Sequence, residues 1–132
     1  MNSIPEVNIL GTQISRLGLT ETLHLIAEWI ERKEKKRLCV IPSNNILWAR
    51  KNEILKRLYN SSDLKLADGV PVVWASRLLG RKIPSRVTGL DVLPKFSEIA
   101  SRKGYSFFFL GAKDGVGEKL SEVLKNKYPL LK

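Results

Sequence analysis

Apolar positions along this chain alternate between short unbroken runs and longer stretches in which they recur every third or fourth residue, as strands interleaved with amphipathic helices would show. Val7 to Leu10 reads as a short strand ended by Gly11. Thr20 is placed to cap a helix whose apolar face is Leu23, Ile26, Ala27 and Ile30, and the basic residues near its end suit the helix dipole. Leu38 to Ile41 is an apolar run of strand length, stopped by Pro42 and followed by the polar trio Ser43-Asn44-Asn45. Ile46 to Tyr59 has helical periodicity, with Leu47, Ile54, Leu55 and Leu58 as core candidates. Leu64 to Ala67 is a short strand stopped at Asp68-Gly69, and Val70 to Leu79 a helix buried on most sides and closed by Gly80. Asp91 to Lys103 is a further helix, with Gly104 just after it. Ser106 to Leu110 is the clearest strand, with Phe107 to Leu110 expected inside the sheet; a glycine-rich loop over Gly111 to Gly117 and a helix over Glu118 to Lys127 follow. This β-α-β-α order predicts a single α/β domain over 1–132: a Rossmann-like, open, mostly parallel sheet with helices on both faces.

Composition narrows the setting. With 43% hydrophobic residues in 132, the chain holds enough apolar side chains for one core. Its single cysteine, Cys39, has no internal disulfide partner and reads as a buried strand thiol. Met1 to Glu6 lacks a basic segment followed by an apolar stretch, and no apolar run approaches the length that spans a bilayer, so the expected location is the cytoplasm. The net charge of +10, from 23 Lys and Arg against 13 Asp and Glu, attracts polyanions: nucleic acid, anionic lipid or phosphorylated substrates. Part of it, Glu31 to Arg37, reads equally well as a soluble mixed-charge surface.

Ligands of open parallel sheets bind beyond the carboxyl ends of the strands. Three polar loops fall there: Ser43-Asn44-Asn45, Asp68-Gly69, and Gly111 to Gly117. Gly111 and Gly115 let the backbone approach a phosphate at a helix start, or merely make a tight strand-to-helix turn; the G-x-x-x-G-x-G spacing is neither a dinucleotide fingerprint nor a P-loop. Asp68 is a carboxylate suited to general-base work on a sugar hydroxyl, or half of an ordinary Asp-Gly turn. Arg86 suits a pyrophosphate, or is a surface arginine. His24 reads as structural; no Cys/His cluster has metal-ligand spacing, and no nucleophile–base triad can be assembled.

Several blocks taken together resemble one family. Leu66-Ala67-Asp68-Gly69 through Val73-Trp74-Ala75-Ser76-Arg77-Leu78-Leu79-Gly80 resembles the A-D-G-x-x-x-V-W-A-x-R-x-L-G block of the WecG/TagA/CpsF glycosyltransferases. Ile83 to Asp91 resembles their P-x-R-V-x-G-x-D block, which includes Arg86, Gly89 and Asp91. Phe109-Leu110-Gly111-Ala112, Gly115-Val116 and Tyr128-Pro129 resemble a third, and Ile9-Leu10-Gly11-Thr12 the opening strand.

The resemblance implies transfer of an N-acetylmannosamine-type sugar, with inversion, from a UDP donor to a polyprenyl-diphosphate-linked N-acetylglucosamine, in teichoic acid, common antigen or capsule synthesis. It implies no metal and no cofactor, the UDP-sugar being a substrate. It gives Asp68 the role of base and Arg86 a role at the phosphates, with Gly69, Gly89, Asp91, Gly111 and Gly115 in the matching blocks. Where such chains carry T-x-N after the second strand, Ser43, Asn44 and Asn45 stand here, so Ser43 is the candidate hydroxyl and Asn44 or Asn45 the amide. Relatives continue past Tyr128-Pro129, often with a basic tail that docks on the membrane. The chain is therefore expected to be an incomplete family domain that self-associates through an exposed apolar edge. In its full-length form the expected place is the inner face of the cell membrane. Two alternatives stand beside this reading: a scaffold that keeps the fold without catalysis, and a basic nucleic-acid-binding module. No nucleic-acid partner is expected, because helix-turn-helix, zinc-finger and RNP-like signatures are lacking, and Phe107 to Phe109 reads as a buried strand rather than a stacking platform.

Overall fold

The computed structural model describes residues 3–132, which gather into two compact units, one ending at Gly89 and one running from Leu90 to Lys132. In the first unit, β1 (Glu6–Ile9) and β2 (Thr12–Ser15) form an antiparallel hairpin with Ile9 opposite Thr12. Leu10 and Gly11 make the two-residue turn, both at positive φ (53° and 91°), the conformation that matches hairpin twist. Periodicity did not reveal β2, because Thr12-Gln13-Ile14-Ser15 has one large apolar residue. Tertiary hydrogen bonds hold it instead. Ser15 Oγ accepts from Lys65 N at 3.0 Å, and Asn60 accepts from Gln13 N and donates to Gly11 O, both at 2.9 Å. Helix α1 (Leu19–Glu31) is capped by Gly18 rather than Thr20. Leu23 and Ala27 are buried as expected, whereas Ile30 is exposed and Trp29 buried in its place.

β3 (Leu38–Pro42) and β4 (Leu64–Asp68) pair in parallel, from Leu38 opposite Leu64 to Pro42 opposite Asp68. Parallel neighbours need a crossover, here α2 (Ser43–Lys51) and α3 (Glu53–Asn60). After β4 comes α4 (Val70–Leu78), whose proline near the first position fits the fixed φ of a helix start. Val7, Ile14, Ile41, Ile46, Ala49, Val72, Val73 and Ile83 form the core. Lys65 on β4 is also buried, and its ammonium meets Glu6 Oε1 at 2.5 Å, which offsets the cost of burying its charge. Cys39 lies on β3 half-buried, its Sγ 3.1 Å from Ser62 Oγ. The first unit is thus mixed α/β, with a parallel pair flanked by helices, and compatible with a Rossmann-like fold.

Three expectations need correction. The helix expected over Ile46 to Tyr59 breaks at Asn52, whose extended backbone (φ −122°, ψ 103°) ends α2 and whose side chain caps α3 by accepting from Leu55 N at 3.0 Å. On α2, Ile46 and Ala49 are buried and Leu47 faces outward; the break then resets the helical phase, so on α3 Ile54 and Leu58 are exposed and Tyr59 is buried. Helix α4 is not buried on most sides: Val72, Val73 and Ser76 face the core, and Val70, Trp74 and Leu78 face outward. The third correction lies in the second unit, built of α5 (Gly89–Lys103, from Leu90 onward) and α6 (Val116–Lys127). There Phe107 to Leu110 forms no strand. Phe107 stacks on Phe96 at 6.1 Å and Phe109 meets Phe107 edge-on, while Phe108 and Leu110 are 87% and 91% exposed. The segment is extended enough to alternate sides, but no neighbouring strand covers its second face. The expectation that this aromatic run is wholly buried falls with it.

Candidate active site

β3 and β4 end side by side, and each passes directly into a helix. Pro42 faces Asp68 in the register, Ser43 starts α2, and Val70 starts α4 after Gly69. Neither helix start is capped by a side chain, so the first-turn N–H groups of both are open at this edge, where backbone dipoles favour an anion. Gly69 is needed for proximity, not conformation: its φ of 175° is ordinary extended backbone, but a Cβ there would stand 1.9 Å from Ser43 Oγ. The hydroxyl of Ser43 therefore lies against the backbone that follows Asp68.

Asp68 is half-buried and is the only acid between Leu64 and Leu90. The 84–88 segment returns to the same strand end, where Val87 N donates to Ala67 O at 3.1 Å and Val87 and Thr88 are buried. Arg86, between them and exposed Ser85, carries its guanidinium on the surface. The structure thus brings together Ser43, Asp68, Gly69 and the Arg86 segment. Asn44 is exposed on the first turn of α2. Asn45 turns the other way, its Nδ2 donating to the Tyr59 hydroxyl at 2.8 Å, so it ties α2 to α3. Sequence reasoning missed Tyr59 because in one continuous helix it would lie about 20 Å from Asn45. The overlooked signal is Asn52 followed by Glu53, a helix start.

Gly89 is exposed at the first residue of α5, with open space where a Cβ would stand. The other candidates belong to the second unit. Asp91 sits in the first turn of α5, where its charge suits the dipole. Gly111 (φ 99°) and Gly115 (φ 82°) take left-handed conformations that disfavour other residues, and both line an open groove of about 910 Å³ with Phe108, Lys113 and Asn126. Among the described residues, no three His, Cys, Asp or Glu side chains converge as a metal site would require, and no helix is long and apolar enough to cross a membrane. The carboxyl clearly shifted in β4's neighbourhood is at the other end of the strand: the Arg37 backbone N–H, at 2.9 Å, holds Asp63 below its ordinary range.

A carboxylate at a βα edge, between two helix starts, lies where open α/β sheets bind their ligands. The sequence profile described as the glycosyl transferase WecG/TagA/CpsF family matches residues 7–132. The chain belongs to that family. It is similar to the N-acetylglucosaminyldiphosphoundecaprenol N-acetyl-beta-D-mannosaminyltransferases of Staphylococcus aureus strains MRSA252, NCTC 8325 and COL. Each is 25% identical over 126 residues, covering 94% of this chain and 50% of the relative. The chain spans about half the length of these curated relatives.

Proposed function

We propose that this chain is the base-bearing part of an inverting glycosyltransferase. It would move an N-acetylmannosamine-type sugar from UDP to a polyprenyl-diphosphate-linked N-acetylglucosamine, for teichoic acid, common antigen or capsule. The reading rests on Asp68: a lone carboxylate at a strand end, beside two uncapped helix starts, in a chain whose relatives are named for this transfer. In the step proposed, Asp68 takes the proton of the acceptor hydroxyl as its oxygen bonds to the anomeric carbon. The bond from that carbon to the UDP oxygen breaks, and UDP leaves with the electron pair. Arg86 and the helix-start N–H groups neutralise the diphosphate, and Ser43 supplies a hydroxyl to the sugar or phosphate. The chemistry calls for no cofactor, and the lipid-linked acceptor places the enzyme at the inner face of the cell membrane.

The test uses this chain joined to the remaining length that its relatives have. Asp68→Asn is expected to cut transfer from UDP-N-acetylmannosamine by roughly 10²–10⁴-fold while UDP binding changes little, because the amide keeps the carboxylate's shape. Arg86→Ala is expected to weaken UDP binding itself. Transfer by Asp68→Asn at the unmutated rate would remove the base assignment and leave an ordinary Asp-Gly turn.

A further inference from the structure

Helices α2 and α4 start together at the Asp68 edge and pack against one another, and both present an unusual outer face. Trp48 on α2 is 62% exposed and Trp74 on α4 is 61% exposed, with Leu47 beside the first and Leu78, 90% exposed, one turn beyond the second. Val70, Trp74 and Leu78 follow at intervals of four, a single apolar stripe down α4. At 1.5 Å per residue, the two tryptophans lie about 6–8 Å from the paired helix starts, so they stand at similar depth. The charges on and just after these helices are mostly basic: Arg50 and Lys51 end α2, Arg77 lies on α4, and Arg81, Lys82 and Arg86 follow it, while Asp68 stands at the edge itself. A face that exposes tryptophan and leucine and is bordered mainly by cations complements the headgroup zone of an anionic bilayer. Each cation near such a surface adds attraction that salt screens.

We infer that the outer face of α2 and α4, centred on Trp74 and Leu78, docks on an anionic membrane surface and presents the Asp68 edge to it. This rests on the proposed function for its purpose, since a lipid-linked acceptor is met only at a membrane, but its physical argument is the face itself. The test is co-sedimentation of the 132-residue chain with phosphatidylcholine vesicles, with and without phosphatidylglycerol. Binding is expected only with phosphatidylglycerol. Trp74→Ser and Leu78→Ser, both at exposed positions, are each expected to lower apparent partitioning roughly tenfold, and Arg77→Gln with Arg81→Gln to abolish the lipid preference. Failure of the unmodified chain to sediment, or equal sedimentation of the variants, overturns the inference. So does a change of oligomeric state in Trp74→Ser, by analytical ultracentrifugation, without vesicle binding, for a second copy then covers the face. Sugar transfer by the chain joined to the remaining length of its relatives, measured in parallel, separates the two readings. Vesicle binding without transfer sinks the proposed function alone; transfer without vesicle binding sinks the docking face alone.

Discussion

Replacing Gly69 with alanine probes the contact that joins the two helix starts at the Asp68 edge. The added Cβ would meet Ser43 Oγ at 1.9 Å, Ser43 Cβ at 3.2 Å and Ser43 N at 3.5 Å. The first distance is far inside the roughly 3.5 Å at which such atoms rest in contact. It is also the easiest to relieve, because the hydroxyl can swing to another staggered position. The Ser43 N distance is ordinary contact, but the 3.2 Å to Ser43 Cβ is tight and cannot be relieved in that way, since Cβ moves only if the start of α2 moves. Alanine tolerates the extended backbone at this position, so no conformational strain is added. The expected loss is therefore at the low end of overpacking, about 1–2 kcal/mol. In a Ser43→Gly background the obstructing side chain is gone, and the same substitution should cost under about 0.5 kcal/mol, a coupling of about 1 kcal/mol. Urea denaturation of the four proteins, with equal m-values as the check on two-state behaviour, measures this cycle. An equal loss in both backgrounds would refute the contact, as would no loss in the parent.

Phe108→Ser should leave stability within about 0.5 kcal/mol, because Phe108 is bare, whereas Phe96→Ala should cost about 3–5 kcal/mol by removing the centre of the aromatic stack. Comparable losses in thermal melts would restore the buried-strand expectation. Asp63→Asn addresses pH. The folded carboxyl lies below its ordinary 3.8, chiefly through the Arg37 backbone N–H, so its stabilisation is complete above pH 3.8 and fades as pH falls through the lowered value. The amide variant should lose less stability across that acid range, and identical acid titrations of the two proteins would remove Asp63 from the account.

Much of this was local and therefore readable along the chain. Leu38 to Ile41 and Leu64 to Ala67 are unbroken apolar runs bounded by Pro42 and by Asp68-Gly69, so strand length and termination were both visible. So was the placement of Asp68 at a strand end, and the ordered blocks carried the family. The faces of the helices were not readable. A cap at Asn52 reset the phase over α3, turned Ile54 and Leu58 outward, and brought Tyr59 back to Asn45. Strand β2 was invisible because its polar residues are buried by partners far along the chain, Lys65 and Asn60. The run Phe107 to Leu110 has a strand's composition, yet composition supplies no neighbour to pair with, and without one every second side chain meets water. The approach of Ser43 to Gly69 is likewise a property of two distant segments. Propensity, capping and periodicity act over a few contiguous residues, so the sequence alone determined β3, β4 and their ends, and the helices over 19–31, 70–78, 89–103 and 116–127 to within a few residues. Which face each one buries, and which side chains meet at the site, depends on packing between segments that only the tertiary structure sets side by side.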